Sequence, residues 1–190
     1  VKQSEEAHDL SYDHSEVITG AFDQKARRLM PKPDPEYFGG KMSFTLKVDP
    51  DRMNYITLKC WGSETNPNRS HVKPVLHLFH DGRMINHGIR DRIIDLSTAR
   101  NYGAKASRAD PPFPARFFYV TRTIPKHLTE GKESIRLTLQ SAGNKDPSDR
   151  PDPAKLTAPA RSVYRIYSHT DAFFQPSPDE PQGERPDADG

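Results

Sequence analysis

Cysteine is nearly absent from this chain of 190 residues. The single Cys60 excludes an internal disulfide and any metal centre built from several thiolates. Long apolar runs are missing too, and no stretch approaches the roughly 20 residues that a membrane-spanning helix needs. Only 33% of the residues are hydrophobic, while 18 are prolines and the mean hydropathy is -0.86. This composition predicts a modest core wrapped in long polar loops.

A strong charge of one sign is also lacking. The 28 basic and 26 acidic residues give a formal charge of +2, so no basic face of the kind that binds nucleic acid is indicated. We therefore predict neither a nucleic-acid nor a membrane partner. Because no initiating methionine or signal-peptide pattern is present, Val1 is interpreted as a processed or excised start. One cysteine suits a cytosolic protein and a bacterial export product equally well.

Motifs for catalysis and metal binding are missing as well. Eight histidines are present, but there is no His-Glu-x-x-His, and His77 and His80 lie on opposite faces of a predicted strand. A zinc site is therefore not predicted; calcium stays open, because any loop can supply oxygen ligands. Gly-x-Ser-x-Gly and glycine-rich phosphate loops are absent, and the separation of paired carboxylates is not visible in a sequence. We predict no catalytic residues and no cofactor.

The most informative pattern that is present is the alternation in Lys41–Val48. Four apolar side chains, Met42, Phe44, Leu46 and Val48, alternate with Lys41, Ser43, Thr45 and Lys47. Period-two alternation over eight residues predicts a strand with one buried face. Gly39-Gly40 before it and Asp49-Pro50-Asp51 after it are interpreted as turns, because glycine frees φ and proline fixes it.

Other segments predict further strands, bounded by turn residues: 54–61, 75–80, 83–86, 116–122, 133–140 and 162–168. In the first of these, one face carries Ile56, Leu58 and Cys60, and the other carries Tyr55, Thr57, Lys59 and Trp61. Asp81-Gly82 joins two of them and predicts a type I′ hairpin. The chain therefore predicts an all-β fold, an antiparallel β-sandwich of jelly-roll-like type, with long loops. At most one short helix is expected, at 21–28. We predict one domain over 1–174 and a linker or free terminus over 175–190, where five acids, one arginine and four prolines occur.

Aromatic residues beside polar loops give the remaining indication of function. Sugars bind proteins through aromatic faces and planar polar side chains, and Trp61 ends a predicted strand next to a polar loop. The alternative is that Trp61 packs in the core, as strand-borne tryptophans usually do. A second long loop also carries an aromatic residue and an arginine. The candidate carbohydrate-binding residues are Trp61, Glu64, Arg69, Tyr102, Arg108 and Phe113.

Short motifs over residues 4–140 occur in an order that resembles a known family. They are Ser4-Glu5-x-x-His8, Arg27-Arg28, Gly39-Gly40-x-x-x-Phe44, Leu46-Lys47-Val48-Asp49-Pro50, Leu58-x-x-Trp61-Gly62-Ser63, Asp81-Gly82, Tyr119, Ile124-Pro125, Leu128-Thr129-x-Gly131-Lys132 and Arg136. The chain resembles the β-sandwich accessory domain towards the C-terminus of β-L-arabinofuranosidase-like proteins, in large bacterial carbohydrate-active enzymes. Cys60 departs from the family, which often has an aromatic residue there, and the stretch 142–160 is longer and richer in proline.

The resemblance implies a non-catalytic carbohydrate-binding module of a larger secreted polysaccharide-degrading protein. Its partners would be a polysaccharide or oligosaccharide and other domains of the same parent chain. The expected location is secreted, periplasmic or cell-surface. Two alternatives stay open: a structural sandwich domain that supports a neighbouring catalytic domain without a ligand of its own, and a small lyase or hydrolase. No catalytic residue carries over from the family.

Overall fold

A computed structural model describes residues 2–3, 9–61, 74–85, 117–143 and 155–181. Strands joined in antiparallel pairs dominate these ranges, which confirms the all-β prediction. The strands are β1 (Lys2–Gln3), β2 (Ser11–Asp13), β3 (Ser15–Thr19), β4 (Lys25–Leu29), β5 (Phe38–Lys47), β6 (Asn54–Trp61), β7 (Val75–His80), β8 (Arg83–Met84), β9 (Phe117–Ile124), β10 (Ser134–Ala142) and β11 (Arg165–His169). Helical structure in these ranges is limited to a 3₁₀ turn, Ala21–Asp23, and the single turn α1, Lys126–Thr129.

The strands form a four-stranded sheet in the order β1-β11-β6-β9, a five-stranded sheet in the order β2-β5-β10-β7-β8, and the hairpin β3-β4. One hydrophobic cluster takes side chains from both large sheets. Phe44 and Leu137 enter it from the five-stranded sheet, and Ile56 and Leu58 enter it from the four-stranded sheet. The inner faces therefore pack against each other in a sandwich-like arrangement. Among the described residues, no helix is long and apolar enough to cross a membrane.

Several predicted strands begin and end close to the limits of the observed strands. The segments 54–61 and 75–80 coincide with β6 and β7, and the 41–48 alternation lies within β5 up to Lys47. In the hairpin between β7 and β8, Asp81 has φ 47° and Gly82 has φ 72°. Positive φ at both central residues is what a type I′ turn requires, so the predicted hairpin is confirmed.

The helix predicted over 21–28 is wrong. The chain forms the 3₁₀ turn and then β4, which pairs antiparallel with β3. Phe22 and Asp23 have φ of 52° and 55°, which cannot continue a right-handed helix. Arg27 exchanges both backbone hydrogen bonds with Val163, which is distant in sequence. Pairing with β3 and with Val163 therefore overrides the local helical preference of this segment.

The turn predicted at Gly39-Gly40 is also wrong, because both glycines lie inside β5. The reason for glycine is space. The Gly40 N–H donates to the Met30 carbonyl at 2.7 Å, and the Met30 N–H donates to the His14 carbonyl at 2.8 Å. A Cβ on Gly40 would overlap the His14 carbonyl oxygen, so only glycine allows this close passage of three backbones.

Candidate functional site

The outer face of β6 is the part of the four-stranded sheet that gathers functional side chains. Tyr55, Thr57, Lys59 and Trp61 point away from the core, on the face opposite Ile56, Leu58 and Cys60, as the alternation predicts. The Lys59 side chain is nonetheless 0% exposed. The 3₁₀ turn and the C-terminal residues cover this face, so the middle of β6, at Thr57 and Lys59, is buried on both sides, while Tyr55 and Trp61 are half-buried.

Four aromatic residues, called here the Trp61 cluster, lie at the end of β6: Phe22, Trp61, Phe117 and Tyr164. Trp61 packs edge-to-face on Phe117 with ring centroids 4.8 Å apart, and Phe117 packs on Tyr164 at 5.0 Å. Phe22 meets Trp61 edge-to-face at 5.8 Å and remains 54% exposed. Trp61 is half-buried, so the cluster combines a packed base with rings that reach the surface.

The exposed position of Phe22 is fixed by the backbone of its turn. The Ala21 N–H donates to the Tyr164 hydroxyl at 3.0 Å, and a Cβ on Gly20 would overlap that hydroxyl. Phe22 itself adopts φ 52°. For a bulky residue this conformation costs about 1–3 kcal/mol, and such strain is concentrated at functional sites. The surrounding contacts therefore hold an apolar ring at the surface in a conformation that its own backbone disfavours.

A planar cation borders the same cluster. The Arg161 Nη1 donates to the Trp61 carbonyl at 2.6 Å, and its Cζ lies 5.5 Å from the centroid of the Phe118 ring. The guanidinium is half-buried at the end of β6. A guanidinium is planar and carries its donors in a fixed arrangement, which suits hydrogen bonding to adjacent hydroxyl groups.

A buried ion pair, called here the Lys59 recess, lies beside the Trp61 cluster. The Lys59 Nζ is 2.8 Å from Glu180 Oε1, 3.3 Å from the Gln24 side-chain oxygen and 3.9 Å from the centroid of the Phe117 ring. The Tyr167 hydroxyl donates to the same carboxylate, 2.7 Å from Oε1 and 2.8 Å from Oε2. The Glu180 side chain is 8% exposed. The recess thus holds a carboxylate with a cation and a hydroxyl donor.

Tyr167 is suited to donate to this carboxylate. Burial above all, then the hydrogen bond to Glu180 and its negative charge, raises the pKa of the Tyr167 hydroxyl far above its ordinary value. The hydroxyl therefore keeps its proton at neutral pH and donates it to the Glu180 carboxylate.

Glu180 arrives on an irregular C-terminal segment, residues 171–181, which we call the strap. Phe174 anchors it, with its ring centroid 4.7 Å from Tyr167, 5.2 Å from Tyr119 and 5.2 Å from His169. Phe173 beside it is 87% exposed. The composition of 175–190 predicts a linker or free terminus; the observed burial of the Glu180 side chain shows that at least this residue contacts the sheet.

A chain of hydrogen bonds extends along the sheet from His169. Its Nε2 is 2.7 Å from Thr57 Oγ1, which is 2.7 Å from Thr121 Oγ1. Its Nδ1 lies 2.7 Å from the Asp171 carbonyl, and must donate there because a carbonyl only accepts. Desolvation by burial lowers the pKa of His169, and the bond to the Asp171 carbonyl opposes that shift. The neutral ring, with Nε2 accepting from Thr57, fits this arrangement.

The lowered pKa of His169 predicts a pH-dependent stability. Between the ordinary pKa of about 6.5 and the lower folded value, the unfolded chain binds a proton that the folded protein does not. We expect the contribution of His169 to the free energy of unfolding to fall as pH drops through this window and then to level off. Urea unfolding at a series of pH values measures it. The slope should flatten in His169→Gln and persist in the control His127→Gln, which changes an exposed histidine; equal slopes in all three proteins would refute the assignment.

The sequence-predicted site residues have unequal outcomes. Trp61 lies in the aromatic cluster, whereas Glu64, Arg69, Tyr102, Arg108 and Phe113 lie outside the described residues, so their roles stay predictions. Sequence reasoning missed Phe22, Lys59 and Glu180. The alternation placed Lys59 on the face opposite the core, but no local signal indicates that the strap covers this face.

Metal binding finds no support among the residues that the structure describes, where no three His, Cys, Asp or Glu side chains are grouped to hold an ion. Cys60 is buried and packs in the core. No protein-family model matches the chain, and no curated protein matches it. The candidate site therefore depends on the geometry of the Trp61 cluster and the Lys59 recess.

Proposed function

We propose that the domain is a non-catalytic carbohydrate-binding module, in which a glycan stacks on the Trp61 cluster. The observation that carries the proposal is the 54% exposure of Phe22, held by a strained turn against Trp61. Single exposed apolar side chains are common on protein surfaces, but Phe22 differs from Phe173 in two respects: it packs against Trp61 and Phe117, and its backbone has a disfavoured positive φ. Backbone strain of this kind is typical of binding sites, and contact with a ligand would account for it.

The chemistry of the cluster suits a sugar. The C–H groups on a pyranose or furanose face carry a slight positive charge and pack on the negative face of an aromatic ring. Sugar hydroxyls need planar donors and acceptors beside those rings, and Arg161 borders Trp61. The two large sheets provide a rigid support on which these side chains keep their positions.

The proposal also covers the larger protein to which the domain belongs. A module of this kind brings a polysaccharide to other domains of the same parent chain, in a secreted, periplasmic or cell-surface protein. The support for this part is the ordered set of motifs from Ser4 to Arg136 that resembles the accessory domain of bacterial glycoside hydrolases. Hydrolysis would then belong to another domain.

Retention on a panel of immobilised plant and algal polysaccharides tests the proposal. We expect at least one to bind, and Phe22→Ala and Trp61→Ala each to weaken that binding at least about tenfold, which is about 1.4 kcal/mol. Phe173→Ala is the matched control, since it removes an exposed ring outside the cluster. Thermal melting separates lost contacts from lost folding, above all for the half-buried Trp61.

Three results would count against the proposal. No retention on any polysaccharide would favour a structural domain that supports a neighbour. Full binding by both cluster variants would place the glycan elsewhere. A large fall in melting temperature for Trp61→Ala, with normal binding by Phe22→Ala, would show that Trp61 serves the core.

A further inference from the structure

We propose that the Lys59 recess is a carboxylate-binding subsite for a uronic acid residue of an acidic polysaccharide, and that Glu180 of the strap occupies it when no ligand is bound. The inference names the ligand class of the glycan site and therefore rests on the proposed function. It concerns a second part of the surface, adjacent to the Trp61 cluster and covered in the structure by the strap.

The recess has the donors that a carboxylate needs. Lys59 supplies a full positive charge at 2.8 Å, and the Tyr167 hydroxyl reaches both oxygens at 2.7 and 2.8 Å. Hydrogen bonds to ionised groups are about twice as strong as neutral ones, and burial strengthens them further. Gln24 and the Phe117 ring complete the surroundings of the ammonium. Glu180 thus shows how the carboxylate of a ligand would sit.

The attachment of the strap favours a displaceable occupant. At its start the Asp171 carbonyl accepts from His169 of β11, but beyond that point its described contacts with the sheet are made by side chains, chiefly Phe174 and Glu180. The backbone bond of Glu180 runs to Ser177 within the strap itself. Most of its other side chains, among them Phe173 and Asp179, are exposed. A buried ion pair contributes little net stability compared with apolar residues of similar size. If the strap were attached permanently, a pair of apolar residues in place of Lys59 and Glu180 would hold it equally well.

The recess and the Trp61 cluster also share one strand face. Lys59 and Trp61 are two residues apart on β6, which is about 6.6–6.8 Å along the strand. The Phe117 ring contacts both, 3.9 Å from the ammonium and 4.8 Å from the Trp61 ring. A glycan stacked on the cluster would therefore bring the acid group of one of its sugars to Lys59. Lifting the strap would add the Tyr119 and Tyr167 rings to the binding face.

Titration calorimetry on the full chain tests the inference with two probes, a galacturonate oligosaccharide and its methyl ester, in which a methyl group replaces the negative charge of each carboxylate. We expect the acid form to bind more tightly than the ester. Glu180→Gln should raise affinity for the acid at least about tenfold by removing the competing charge. Asp179→Asn, which removes an exposed acid of the same strap, should leave it unchanged. Adding Lys59→Met to Glu180→Gln should abolish the preference for the acid.

A second measurement uses the unaltered protein. Hydrogen–deuterium exchange of residues 171–181 should increase on adding the galacturonate oligosaccharide and not on adding the ester. Equal binding of acid and ester to Glu180→Gln, with retention by the Trp61 cluster intact, would overturn the inference and leave the glycan function standing. Slower exchange of the strap with the acid bound would also overturn it. Failure of every glycan to bind would instead remove the proposed function itself.

Discussion

Glu180→Leu should lower the free energy of unfolding by about 3 kcal/mol, and the double variant Lys59→Met/Glu180→Leu should restore most of it. The single change leaves the Lys59 ammonium, 0% exposed, without its carboxylate. Breaking one side of a buried pair typically costs about 3–5 kcal/mol, whereas an apolar pair is often neutral or stabilising. We expect the lower end of the range, because the strap can lift and let water reach Lys59.

Denaturant unfolding of both single variants and the double variant measures the coupling between the two side chains. Lys32 and Glu36 provide a matched control, with the same Nζ–Oε separation of 2.8 Å at an exposed position. Glu36→Leu should change stability by less than about 0.5 kcal/mol. Additive effects of Lys59→Met and Glu180→Leu would show that the recess is hydrated and that its charges act independently.

The strands of this fold could be predicted because their signal is local. In β5 and β6 the alternation of apolar and polar residues identifies the inner face, and Asp81-Gly82 identifies one hairpin. The segment 21–28 failed for the opposite reason. Its strand is set by pairing with β3 and by the bridge from Arg27 to Val163, and neither partner is visible in the pattern of the segment itself.

The candidate site could be predicted only at Trp61. Phe22 becomes a surface ring because the Tyr164 hydroxyl, 143 residues away from Ala21, holds the turn before it. Glu180 belongs to a segment whose proline- and acid-rich composition indicates a linker, yet its carboxylate meets Lys59 across 121 residues. Composition describes the average solvation of a segment, and a single buried contact does not change that average.

Gly40→Ala should destabilise the domain by about 1–3 kcal/mol or more, since a new methyl group in a tight space forces backbone shifts. A Cβ there would overlap the His14 carbonyl oxygen and lie 2.9 Å from the Asp13 carbonyl oxygen. These are backbone atoms, which cannot rotate away as a flexible side chain could. The His14 carbonyl also accepts from Met30, so moving it breaks a second contact.

Gly82 is a useful comparison with Gly40, because glycine is favoured at position 82 by the backbone conformation and not by a lack of space. It has φ 72° and open space around the position of a Cβ. Gly82→Ala should therefore cost about 1 kcal/mol, and Gly82→Asn less, because asparagine tolerates positive φ. Gly40→Asn should be worse than Gly40→Ala, since a larger group meets the same carbonyls. Thermal unfolding of the four variants gives the order. If Gly40→Asn is more stable than Gly40→Ala, the lack of space between β5 and the His14 carbonyl cannot be the reason for glycine at position 40.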